Sequence, residues 1–461
     1  MARLLFADER GTVYDHPRLL AAGRSGGEVV RPHERPVPLP AGGTLCTLPG
    51  RRPVGIDPET GEPVVLREAR VGRRKLVPLA VAAALPPGFT RTLLPAAWRP
   101  PLAASGAPVL PQWAYTAAGL GEGGPVTWAL HTDRRRHWDP ARHSTPDLAG
   151  RVRDLLAGSD NPVYRQLARC ALEWRCFTAQ NTFYRRDEGA IPSSATCNAR
   201  CIGCLSEAEE GLPPPSHERI LRAPSAEEMA EVGARHLAEA TGRAMVSFGQ
   251  GCEGEPLLRW KEIARAIRLV RERTARGSIQ VNTNGSLPRA LAVLADAGLD
   301  AVRISTNGAS PDLYQAYYRP VGYAFEDVVE SMRVARAQGL YLALNLLVFP
   351  GVTDREEEVE RLVRLVREVE VQQVQTRPLA MDPDLYWEVA RDRGGQGRAL
   401  GVRALVRALR QARPGLVVGN FARGLGEREP RGPAPGVGAR SRDGRRRGAG
   451  RGVSAGGGAR P

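Results

Sequence analysis

From residue 191 onward the chain alternates between two rhythms. Apolar segments at 191–196, 245–249, 279–284, 301–306, 341–349 and 371–379 read as buried strands. Stretches with helical spacing lie between them, at 225–240, 257–276, 287–297, 325–338 and 354–370, and a last one follows near 400–410. The first opens Ser225-Ala-Glu-Glu-Met. That order predicts a capping box, in which the Ser225 hydroxyl accepts from the backbone of Glu228 and the Glu228 side chain reaches back. Strands alternating with helices imply parallel βαβ units. Six units are too few for a closed eight-fold barrel, so the expected core is a partial (β/α)6 barrel over 190–422, with its chemistry at the C-terminal ends of the strands.

Upstream the rhythm is shorter. Residues 1–150 carry brief apolar runs broken by Pro and Gly, as in Val37-Pro-Leu-Pro-Ala-Gly-Gly and Asp57-Pro-Glu-Thr-Gly-Glu-Pro, which predicts a small β-rich domain. Residues 151–189 have helical spacing and read as a connector. From 423 to 461 the chain is Gly, Arg, Pro and Ala, too poor in apolar residues to build a core, and is expected to be a disordered tail.

Composition changes this picture little. The apolar content of 42% supports real cores in a chain of 461 residues. The net charge of +15 is nearly all arginine, with Lys75 and Lys261 the lysines, and much of the excess falls in the tail. Charge alone is only a footprint, so a nucleic-acid partner is not expected. The apolar run at 76–85 is too short to span a bilayer and is closed by Pro86 and Pro87. The first residues lack the apolar core and cleavage site of a secretory signal. A cytoplasmic protein with no membrane partner is the expectation.

Seven cysteines do not suggest a disulfide framework, and three of them crowd into Cys197-Asn-Ala-Arg-Cys201-Ile-Gly-Cys204, directly after the first predicted strand. Such a loop can wrap one metal centre. Zinc would want a fourth protein ligand, and the next candidate, His217, lies beyond a Pro-rich loop. Three thiolates with one open position suit a [4Fe–4S] cluster. Soft sulfur serves either metal, and unligated thiols are the third reading.

This Cys-x3-Cys-x2-Cys spacing, placed after the first strand of an α/β barrel, resembles the radical S-adenosylmethionine (radical SAM) superfamily. The resemblance implies that the fourth iron binds the amino and carboxylate groups of S-adenosylmethionine. One electron, from a reductant such as ferredoxin or flavodoxin, then cleaves the sulfonium. The 5′-deoxyadenosyl radical so released abstracts hydrogen from a substrate, small molecule or peptide, that the sequence does not name. The family usually has a bulky residue before the third cysteine; here it is Gly203.

Gly254-Glu255-Pro256 looks like the end of the family's Gly-Gly-Glu-Pro motif, with Glu253 in place of the first glycine. The resemblance implies that Gly254 and Glu255 serve the methionine ammonium; the plainer reading is a helix entry with Pro in its first turn. It likewise implies that Asn284, Ser305 and Asn307, at the ends of the third and fourth strands, hold ribose hydroxyls and the methionine carboxylate. Asn-Gly pairs also make simple turns. The segment through Thr353 and Asp354 is similar to the family's fifth-strand stretch beside adenine, or caps a helix. Arg377 suits a substrate anion or a structural ion pair.

Cys252 follows the second strand and is the candidate catalytic residue, a hydrogen-atom donor at the barrel mouth. Packing is the bland alternative. A second cluster with Cys46, Cys170 and Cys176 is disfavoured, because six residues on a helix put Cys170 and Cys176 on different faces. Trp113, Tyr115 and Trp138 line a substrate site or fill a core. Two other classes stay open: an iron–sulfur electron carrier, and a zinc-organised binding module using the basic tail.

Overall fold

Seven parallel strands lie in sequential order in one sheet. They are β1 (Arg186–Ile191), β2 (Thr241–Phe248), β3 (Ser278–Thr283), β4 (Ala301–Thr306), β5 (Tyr341–Val348), β6 (Gln373–Pro378) and β7 (Val417–Gly419). The computed structural model describes residues 2–99, 108–134 and 138–425. The tail expected at 423–461 therefore lies, from 426 on, outside the described residues.

Side chains alternate across a strand, so every strand has an outer and an inner row. The outer row is apolar: Ile279 and Val281 on β3, Val302 and Ile304 on β4, Leu342, Leu344 and Leu346 on β5, and Val374 on β6 all join one core with the helices. The register places Asn282 beside Arg303, Ser305 beside Asn345, and Asn345 beside Gln375 on the other face. The barrel interior is thus polar.

The helices after β1–β6 are α4 (Ala226–Glu239), α5 (Trp260–Arg273), α6 (Pro288–Ala297), α7 (Pro311–Tyr318), α8 (Phe325–Ala337), α9 (Glu356–Glu368), α10 (Pro383–Ala390) and α11 (Val402–Ala412); α1 (Leu148–Ala157), α2 (Pro162–Leu172) and α3 (Phe177–Tyr184) precede β1. The Ser225 capping box is present as expected. Among the described residues no helix is long and apolar enough to cross a membrane.

Two expectations need correction. The first strand ends at Ile191 rather than starting there. Pro192 has no N–H to give a ladder, and the next two backbone N–H groups, of Ser193 and Ser194, are taken by the Glu253 carboxylate. The sheet also has a seventh strand, β7, paired with β6 at Val417; at three residues it was too short to show a period.

The region before α1 is β-rich, as expected, and centres on a ten-stranded sheet with antiparallel pairing. Its strand Arg3–Ala7 pairs with Val13–Ala21, Leu79–Ala84 and Tyr115–Gly121. A buried ionic cluster joins this domain to α10. Arg51, 1% exposed, donates to Asp382 at 2.5 Å and Asp384 at 3.1 Å, while Arg24 and Arg99 also reach Asp384. The Gly26 N–H donates to the Pro350 carbonyl beyond β5 at 2.8 Å.

Candidate functional site

The cysteine loop runs from the end of β1 across the C-terminal end of α7. The Arg200 N–H donates to the Tyr318 carbonyl (3.0 Å) and the Ile202 N–H to that of Tyr317 (3.1 Å), carbonyls left without helical partners at a helix end. Cys197, Cys201 and Cys204 are all half-buried and unbridged. Burial pushes the Cys197 thiol up to about 11, with Glu255 adding to it. Burial also holds Cys201 well above the usual range, and Cys204 and Cys197 push it further. The three sulfurs therefore sit in one another's field. The Arg219 guanidinium answers part of that charge, donating to the Cys204 sulfur at 3.6 Å and to the Ser206 hydroxyl at 3.1 Å.

Among the described residues no three His, Cys, Asp or Glu side chains converge on a position for a single metal ion. In a cubane each cysteine takes a different iron, so the sulfurs stand around the cluster instead. His217 has its Nδ1 against the Ser216 hydroxyl at 3.0 Å and its ring tilted on Trp174. The donor set fits a [4Fe–4S] cluster.

Gly203 has a physical explanation. A Cβ there would stand 2.7 Å from the Tyr317 hydroxyl, so α7 fills the space that a larger side chain would need. Gly254 is equally constrained: its Cβ would come within 2.0 Å of the Thr196 carbonyl. Only glycine lets the turn after β2 lie against the cysteine loop, where the N–H groups of Gly254 and Glu255 donate to Ser194 (2.7 Å) and Thr196 (2.8 Å).

Glu253 stands where the family has glycine because its carboxylate has work on the inner side of the turn. One oxygen accepts from the Ser193 N–H, the Ser193 hydroxyl and the Ser194 N–H; the other accepts from the N–H groups of Gly249 and Gln250. Burial raises its carboxyl to about 7 against the pull of those donors. Glu253→Ala leaves five donors unsatisfied and is expected to cost on the order of 3 kcal/mol. Urea unfolding checks this; wild-type stability in the variant would show that the carboxylate does not hold the turn.

The remaining candidates divide. The Glu255 carboxylate is a strut: it accepts from the Leu257 N–H (2.9 Å), the Thr283 hydroxyl (2.5 Å) and the Asn284 N–H (2.8 Å), tying the turn after β2 to the end of β3. Asn284 in turn donates to the Asn198 side chain inside the cysteine loop at 2.9 Å. Ser305 is half-buried and accepts from the Asn345 amide at 3.2 Å. Asn307 is fully buried, and its amide is taken by the Leu313 carbonyl and the Tyr386 hydroxyl. Thr353 and Asp354 close the turn after β5, accepting from the N–H groups of Phe349 and Gly351.

Cys252 departs from expectation. It is 2% exposed and lies against Cys170 on α2, whose thiol, with burial, holds that of Cys252 well above its usual range. Its sulfur packs with the connector helices rather than at the mouth. Trp138 is buried and stacked on Phe421 at 3.9 Å, and Tyr115 is buried too, whereas Trp113 is 47% exposed. Next to it, Gln112 is a residue the sequence did not single out. Its Nε2 donates to the Cys204 carbonyl at 2.7 Å and its Oε1 accepts from the Ser216 N–H at 3.1 Å. No motif marks it, since the contact spans 92 residues.

A parallel sheet curled around a polar interior, with three cysteines on the loop after β1 facing the turn after β2, defines the class. Residues 191–366 match the family described as the radical SAM superfamily. The segment 191–366 is thus a radical SAM domain, and that superfamily uses a [4Fe–4S] cluster and S-adenosylmethionine. The GTP 3′,8-cyclase of Heliobacterium modesticaldum is 34% identical over 186 residues, which are 40% of this chain and 52% of the relative. The GTP 3′,8-cyclase of Streptomyces coelicolor is 30% identical over 35% of this chain and 44% of the relative. The chain spans about half the length of these curated relatives. A crystal structure of methylornithine synthase covers 59% of this chain and 78% of its own at 16% identity, with a TM-score of 0.36.

Proposed function

We propose that this protein is a radical SAM enzyme that cleaves S-adenosylmethionine reductively and modifies a substrate admitted to the barrel mouth. The observation that carries it is the direct seating of the turn 252–255 on the cysteine loop, through Gly254 and Glu255 on Ser194 and Thr196. When bound, the cluster and S-adenosylmethionine supply a 5′-deoxyadenosyl radical. Cys197, Cys201 and Cys204 would hold the cluster, with Arg219 offsetting sulfur charge at Cys204. The backbone of Gly254, Asn284 and Ser305 would receive the cofactor's polar groups, while Glu255 fixes the turn that presents them. Asn307 gives its Nδ2 to the Leu313 carbonyl and the Tyr386 hydroxyl, and its Oδ1, buried without a hydrogen-bond partner, would accept from the cofactor. The electron would come from a small external reductant of the ferredoxin or flavodoxin kind.

The substrate most worth testing first is GTP, on which the curated relatives act by name. Anaerobically reconstituted, reduced protein given S-adenosylmethionine is expected to form 5′-deoxyadenosine, slowly alone and at least tenfold faster with the true substrate. Chromatography of the quenched mixture reads this. No 5′-deoxyadenosine under any condition would end the proposal; no acceleration by GTP would remove GTP alone.

A further inference from the structure

We propose that the barrel interior holds a built anion site, Arg303 and Arg377 with the amides of Asn345 and Gln375, that takes a carboxylate or phosphate group of the substrate. It rests on the radical-enzyme reading for the word substrate, but not for the site itself.

The strand register brings these groups together. Arg303 on β4 donates from Nη1 to the Gln375 Oε1 on β6 at 2.9 Å, and Asn345 on β5 is the register partner of Gln375. Gln375 is fully buried, yet its Nε2 has no hydrogen-bond partner; nor have the Arg303 Nε and the Asn345 Oδ1 beside it. Three orphaned polar atoms on adjacent strands are far from the rule in a protein interior, where such groups are nearly all satisfied. The two nitrogens are donors that suit an anion, and the Asn345 oxygen is an acceptor that suits a hydroxyl of the same ligand. Arg377, one step beyond Gln375 on the inner face, lies over the Phe421 ring at 5.8 Å.

Charge favours an anion. Among the described residues neither Arg303 nor Arg377 makes an ion pair. The carboxylates near them are Glu188 and Asp133, and both are engaged: Glu188 by the Ser247 hydroxyl at 2.5 Å, Asp133 by the Asn420 N–H. Burial lowers both guanidiniums, Arg303 to about 10 with Arg377 adding to it, and a guanidinium stays charged at neutral pH. Glu188 and Asp133 offset part of this charge from a distance, but neither half-buried guanidinium touches a carboxylate, so each keeps donors for a bound anion. A guanidinium fork suits a planar carboxylate or a phosphate. Arg303 sits two residues, about 7 Å, below Ser305, so a ligand anchored there would project its other end toward the mouth.

The test is equilibrium binding by calorimetry to the full-length protein, with and without its cluster. Inorganic phosphate and GTP form one arm, acetate and glutamate the other. One arm is expected to show saturable binding near one per chain, which names the source of the anion. Arg303→Gln and Arg377→Gln should each weaken it at least tenfold, and Arg364→Gln, on the exposed face of α9, should not. Should either arginine variant fail to fold, Asn345→Asp keeps the volume, adds a negative charge beside Gln375 and should weaken the anion equally. Absence of saturable binding in the wild type, or equal affinity in all variants, would overturn the site. Formation of 5′-deoxyadenosine by the wild type without any probe reports on the radical reading alone, so the two can fail separately.

Discussion

The Cys201→Ala protein, prepared and reconstituted without oxygen, is expected to hold almost no iron, where the wild type holds about four atoms per chain, the content of one cubane. Cys201 is the middle of the three proposed ligands, and burial and its two neighbours hold its thiol well above the usual range. A metal centre is what makes such a group worth keeping, since coordination deprotonates a thiol outright. With two cysteines left, two irons of a cubane would lack protein ligands. Cys197→Ala and Cys204→Ala should behave alike. Iron analysis and the brown charge-transfer absorbance read the result; stoichiometric zinc without iron in the wild type would sink the assignment.

The second large effect concerns the β-rich domain. Arg51→Met is expected to destabilise the protein by about 3–5 kcal/mol, the usual cost of stripping one partner from a buried ion cluster. The arginine satisfies four acceptors at once: Asp382, Asp384 and the carbonyls of Pro49 and Pro108. Its loss leaves Asp382, fully buried, with the backbone N–H groups of Leu110 and Asp384 alone. Pairing Arg51→Met with Asp382→Leu removes the stranded charge and should recover most of the loss. Urea midpoints measure both; a single variant as stable as the wild type would show that the cluster does not bind the domain to α10.

These two regions differ in how far the sequence showed them. The cysteine loop was legible because its chemistry is local: three sulfurs within eight residues and a Gly-Glu-Pro turn one unit later. The strands β3 to β6 were legible because both rows are buried and the outer row is apolar. β1 was not, since Arg186-Asp-Glu-Gly-Ala-Ile offers no apolar run, and its hydrogen bonding to β2 decides it. The helices α7 and α10 hide their period in short aromatic stretches, yet α7 carries the cysteine loop. Cys252 was misplaced because a turn's side-chain direction depends on how Glu253 folds beneath it. The Arg51 cluster joins residues more than 330 apart, a separation at which a single sequence holds no signal.

Gln112 has a consequence for how the cell's iron reaches the whole chain. One side chain from the β-rich domain bonds the backbone of Cys204, a proposed cluster ligand, and so couples order in that domain to order in the cysteine loop. By reciprocity of binding free energies, any factor by which the ordered domain tightens the grip on iron is the factor by which iron tightens the domain. Iron loading is then expected to slow hydrogen exchange around Gln112, on top of the order that the Arg51 cluster and Gly26 give the domain without iron.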